Sequence, residues 1–152
     1  MKPTSRISGL FFIGIFIAGS TALGYYYYFV YSPPLTAAAR FMDAMESRNR
    51  EALRSEIIIS SDFENGREDK LREPTEGELN ALLIEPFQRG RILDLRKREG
   101  NTRDYYYLVY REPDGRVFAL VATEFKGRFR LVIPDIPMSK SHRFLWDYTW
   151  TN

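Results

Sequence analysis

The chain opens on an apolar run without a charge: between Arg6 and Arg40 there is neither acid nor base. Ile7 to Val30 is 24 residues, about 36 Å as a helix, which exceeds a hydrocarbon core of about 30 Å. The pattern predicts a transmembrane helix over 7–31, behind a short N-terminal stretch, 1–6. Tyr25, Tyr26, Tyr27, Tyr28 and Tyr31 fall where the membrane interface would lie and read as an aromatic belt, and Pro33-Pro34 stops the helix. Gly14, Ala18 and Ala22 recur every four residues, a small-residue face on which a second helix could pack closely. A cleavable signal peptide is the competing reading, with Ile7–Gly19 as its apolar core and Ser20-Thr21-Ala22 as its cleavage site. The apolar run continues through the tyrosines, which favours an uncleaved anchor.

Beyond the prolines the pattern changes period twice. Leu35, Ala38, Ala39, Met42 and Met45 or Ala44 are spaced for one face of a helix over Leu35–Arg48, and Glu51–Ser55 makes a second, short helical piece. Ile57-Ile58-Ile59 is a β-branched run, followed by polar residues 60–74 that read as a loop or frayed helix. Thr75-Glu76-Gly77-Glu78 is a capping box, opening a helix that extends to about Gln88 and buries Leu79, Leu82, Leu83 and Phe87. Period two then takes over in Arg91–Arg98, Asp104–Arg111, Arg116–Phe125 and Arg128–Ile133, with Asp114-Gly115 as the clearest hairpin signal. The expected fold class is α+β: one N-terminal transmembrane helix, then helices packed on a curved antiparallel sheet of about four strands over 35–134.

The last segment, 135–152, is set off by Pro134 and Pro137. Phe144, Trp146, Tyr148 and Trp150 alternate with smaller or polar residues, so an extended chain places all four aromatics on one face. This arm either closes the domain's own interior or docks on a partner, and the prolines favour docking.

Composition narrows the chemistry. There are no cysteines and one histidine, His142, in the polar Ser139–Arg143 stretch, which removes thiolate chemistry, disulfides and multi-histidine metal sites. No Gly-rich phosphate loop, nucleophile elbow or carboxylate metal cluster appears, so no catalytic, cofactor-binding or metal residues are expected. The net charge of +2 hides a segregation: residues 35–88 hold 7 Lys/Arg against 12 Asp/Glu, and residues 89–130 hold 11 against 6. A basic sheet half could face an acidic partner or anionic headgroups. Lys2 and Arg6 lie on the short side of the apolar run without an acid, so the positive-inside rule places the N-terminus in the cytoplasm and the domain in the periplasm or outside the cell.

The opening helix Thr36-Ala37-Ala38-Ala39-Arg40-Phe41-Met42-Asp43-Ala44-Met45, then a short helix, a third helix and a four-strand meander, resembles the nuclear transport factor two-like (cystatin-like) superfamily. The resemblance implies a helix–sheet cone and is compatible with two roles. Some members are extracytoplasmic accessory proteins of secretion and transport systems; others, such as ketosteroid isomerases and polyketide cyclases, are enzymes that work in the cone. Because no acid–base constellation is legible, the expectation is a single-pass accessory or scaffold subunit that binds other membrane-protein subunits, without nucleic acid or cofactor. A membrane-tethered small-molecule-binding or cyclase-like cavity is the alternative.

Overall fold

A computed structural model describes residues 4–27, 32–61, 70–100, 102–135 and 144–146, with side chains in the first helix from Ile15 onward. The chain divides into two compact units, Met1–Pro33 and Pro34–Asn152.

The first unit is helix α1, Thr4–Tyr26. Among the described residues no helix is long and apolar enough to cross a membrane, and this corrects the expected transmembrane helix over 7–31 and the membrane-inserted reading built on it. The helix ends at Tyr26, short of Tyr31. From Ile15 to Tyr27 the apolar side chains alternate with Gly19, Ser20, Thr21 and Gly24, which dilute the hydropathy of this part of the helix. Thr21 turns its hydroxyl back onto the Ile17 carbonyl at 2.8 Å, as a hydroxyl on an exposed helix face does.

The second unit begins within α2, Ser32–Glu46, which buries Ala37, Ala38, Phe41, Met42, Ala44 and Met45. Helix α3, Arg50–Glu56, starts at Asn49, whose side chain accepts the Ala52 N–H, and runs directly into β1, Ile57–Ser60. Residues 60–74, expected as loop or frayed helix, contain a second short strand, β2, Leu71–Arg72. Helix α4 spans Glu76–Leu83 with its capping box formed as the sequence predicts. It stops at Ile84, not Gln88, because Pro86 disfavours helical backbone at Glu85. Strands β3 (Arg91–Glu99), β4 (Asp104–Arg111), β5 (Val117–Phe125) and β6 (Arg128–Pro134) follow.

The sheet has six strands in the order β2-β1-β6-β5-β4-β3, not about four. It is also mixed, because β1 pairs parallel to β6 while every other pair is antiparallel. The triple isoleucine explains the difference. Ile57, Ile58 and Ile59 are consecutively buried, which suits a strand covered on both faces and needs a neighbour on each side. The same holds for Tyr106–Tyr110 and Ala119–Thr123, buried without alternation. At the β5–β6 hairpin, Lys126 and Gly127 both take positive φ, 52° and 76°, the twist that a two-residue turn requires.

Two layers of core result. Ile58, Tyr107, Ala119, Val121, Val132 and Trp146 form one cluster. The intervening sheet residues Leu108, Leu120 and Leu131 are equally buried, and the helices supply Phe41, Leu53, Leu79 and Leu82.

Candidate functional site

A catalytic site in a helix–sheet cone would need a solvated space with an acid or base inside. The interior here is occupied by rings. Phe144 meets Phe41 of α2 edge-on at 5.2 Å between centroids and Phe87 at 5.8 Å. Of the buried charged groups, Glu56 lies at the junction of α3 and β1. Its carboxylate accepts Arg40 Nε at 2.8 Å and a guanidinium N–H of Arg128. Arg40 also reaches the Phe129 carbonyl at 3.5 Å. Glu56 therefore ties α2, α3 and the start of β6 through one carboxylate. Glu112, at the end of β4, is met by Arg116 at 3.2 Å. Among the described residues each buried acid has a cation beside it, an arrangement that ties elements together.

Tyr110 is the phenol that a cavity enzyme could have used as an oxyanion donor. Instead its hydroxyl accepts the Gly90 N–H at 2.7 Å and donates to the Gln88 carbonyl at 3.3 Å. Burial pushes this phenol above its ordinary pKa, so it stays a neutral clasp on the connection from α4 to β3.

An open cleft of about 440 Å³ lies where the β3–β4 connection meets the β5–β6 turn, lined by Arg103, Asp104, Tyr106, Glu124, Lys126 and Phe129 among others. Tyr106 and Phe129 stack edge-on at 5.3 Å. Lys126 and Arg130 both stand over the Phe125 ring, at 5.1 and 5.6 Å, and both bind Glu73. Burial works to raise the Glu73 pKa, but the hydrogen bonds from Lys126 and Arg130 outweigh it and leave the carboxylate below its ordinary value. Asp104 is taken by Lys97 at 2.8 Å. Among the described residues no group of three or more His, Asp or Glu could hold a metal ion.

The sequence-derived sites fall as follows. In α1, Ala18 and Ala22 are exposed on a helix described by itself, with Gly14 on its backbone four residues earlier. Tyr25, Tyr26 and Tyr27 are 64%, 56% and 53% exposed, while Tyr28 and Tyr31 lie outside the described residues. Phe144 and Trp146, expected to share a face of a docking arm, are 1% and 0% exposed and go to different partners. Phe144 turns to α2, whereas Trp146 pairs with Ala119 of β5 in an isolated antiparallel bridge. Tyr148, Trp150 and His142 lie outside the described residues. What periodicity missed is the row of arginines along β3, which the strand register brings together with Arg111.

No family model, curated protein or solved structure matches the chain.

Proposed function

We propose that residues 34–152 are a binding module: an accessory or scaffold domain that holds a partner on its outer surface. The observation that carries this reading is the filled interior, where Phe41, Phe87 and Phe144 interlock and the buried acids Glu56 and Glu112 are met by arginines. A protein with its interior packed by rings exerts its function from its exterior. The resemblance to the nuclear transport factor two-like superfamily belongs to this proposal and rests on the order of helices and strands alone. Within that superfamily the accessory role fits a filled cone better than the isomerase role, which requires an open one.

The test is affinity purification of the tagged full-length protein, followed by size-exclusion chromatography with light scattering. The expected result is a defined, stoichiometric complex with another protein. A monomer that runs alone and is stabilised by a small apolar ligand would overturn the reading in favour of a cavity function.

A further inference from the structure

Strand β3 is the last strand of the sheet order, so its outer edge has no strand beside it among the described residues. Its register on β4 sets Arg98 opposite Tyr105, Arg96 opposite Tyr107 and, past a bulge between Ile92 and Asp94, Arg91 opposite Arg111. Directly opposed residues share a face. Arg91, Arg96, Arg98 and Arg111 therefore stand on one face at one edge, and all four are exposed.

This row carries more arginines than acids. Arg40, Arg50, Arg54, Arg72, Arg89 and Arg116 each have an acid within salt-bridge distance. Arg91, Arg98 and Arg111 have none among the described residues, which is otherwise true only of Arg48 and Arg103 among the described arginines of the domain. Two arginines directly opposite each other disfavour the strand pair unless an anion lies between them. The single acid on this face of β3 is Asp94, whose carboxylate accepts the Leu95 N–H at 2.8 Å and Arg96 Nε at 3.3 Å. Asp94 thus occupies one backbone donor and one guanidinium, as a bound carboxylate would.

We infer that the β3 edge and its arginine row are the docking site for an extended acidic segment of a partner protein. The inference rests on the binding-module reading and gives it a surface and a ligand chemistry. The row from Arg91 to Arg98 extends about 20 Å along the strand, too long for one small anion, and carboxylates at alternate positions of an extended peptide recur about every 7 Å, in step with arginines two residues apart. The bare edge of β3 supplies main-chain donors and acceptors that a peptide backbone can pair with and a sugar–phosphate backbone cannot match in register. Arg91 and Arg111 make a fork for one carboxylate, and the peptide displaces Asp94 from Arg96.

The experiment is fluorescence anisotropy of a labelled ten-residue peptide of alternating Glu and Val, titrated with the full-length protein. A Lys–Val peptide and a ten-nucleotide oligothymidylate serve as comparison probes. The Glu–Val peptide binds, more weakly as salt rises, and the Lys–Val peptide does not. Arg91→Glu, Arg98→Glu and Arg111→Glu each weaken binding about tenfold, and Asp94→Ala tightens it about threefold by releasing Arg96. Each variant is first shown to keep the wild-type circular dichroism. Unchanged affinity in the charge-reversed variants overturns the inference, and so does tighter binding of the oligonucleotide than of the peptide. If the R91E/R98E/R111E variant still purifies with the same protein complex as wild type, the docking edge is wrong while the binding-module reading stands. A wild-type protein that forms no complex defeats that reading itself.

Discussion

The indole N–H of Trp146 donates to the main-chain carbonyl of Val132 at 2.8 Å, in a fully buried site. Strand β6 pairs with β5 only as far as Val132 opposite Val121, then follows β1 through Ile133 and Pro134. Trp146 continues the pairing along β5 beyond that point: its own N–H and C=O pair with Ala119 at 2.9 and 3.0 Å, while its indole reaches the Val132 carbonyl. Trp146→Phe keeps most of the volume but removes that hydrogen bond, and the expected loss is about 1 kcal/mol. Trp146→Ala also opens a cavity and is expected to cost about 3–5 kcal/mol. Urea denaturation measures both. Equal stability of wild type and the Phe variant would show that the hydrogen bond contributes nothing.

A double-mutant cycle isolates the second tie. Glu56 is buried, but Arg40 and Arg128 are 38% and 43% exposed and can rehydrate when it is removed. Glu56→Ala is therefore expected to cost about 1–3 kcal/mol, less than breaking a wholly buried pair. Arg128→Ala in the Glu56→Ala background should then cost nearly nothing, because its partner is already gone. Additive losses would show that the contact is not energetically coupled.

The sequence disclosed local rules better than it disclosed assembly. The capping box at Thr75 and Glu78 formed as written because both hydrogen bonds lie within four residues. The hairpin at Asp114-Gly115 did too, with Gly115 at φ 91°. What could not be read was who sits beside whom. Ile57–Ile59 looks alike as a buried strand or a helix edge, and its parallel partner, β6, lies some seventy residues on. Period two in Phe144 and Trp146 was visible, but Phe144 lies in a turn and only Trp146 in a β-bridge, so the two rings go to different neighbours. For the N-terminal run, hydropathy counted a continuous stretch to Val30, whereas the helix stops at Tyr26. The arginine row of β3 became meaningful only once register set Arg91 against Arg111.

Acid should loosen the start of α4. The Glu78 carboxylate is held by hydrogen bonds from Arg72, at 2.6 and 2.9 Å, and by the Thr75 N–H, at 2.7 Å. The Arg72 bonds do most to depress its pKa from 4.5 to about 2. A carboxylate depressed by folding stabilises the native state above its unfolded pKa. That contribution is complete above about pH 4.5 and is lost as pH falls towards about 2. Glu78→Gln should therefore flatten the decline in urea midpoint across that window while lowering stability at pH 7. Parallel acid profiles of wild type and variant would disprove the assignment. Glu73, also depressed, contributes with the same sign, so the variant reduces the slope without abolishing it.

Gly90 gives the most sharply separable prediction. A methyl group there would stand 2.2 Å from the Arg111 carbonyl and 2.5 to 2.7 Å from the Tyr110 ring and hydroxyl. The tyrosine can be cut back; the carbonyl belongs to the β3–β4 ladder and cannot move without disturbing it. Gly90→Ala is accordingly expected to cost about 1–3 kcal/mol as overpacking. Tyr110→Phe should cost about 1 kcal/mol for the hydrogen bonds that clasp Gln88 and Gly90. Combining Tyr110→Phe with Gly90→Ala removes the hydroxyl but not the backbone collision, so the double variant should remain at least as unstable as Gly90→Ala alone. Thermal unfolding decides the matter. Recovery in the double variant would mean that the tyrosine hydroxyl, and not the strand backbone, is what excludes a side chain at position 90.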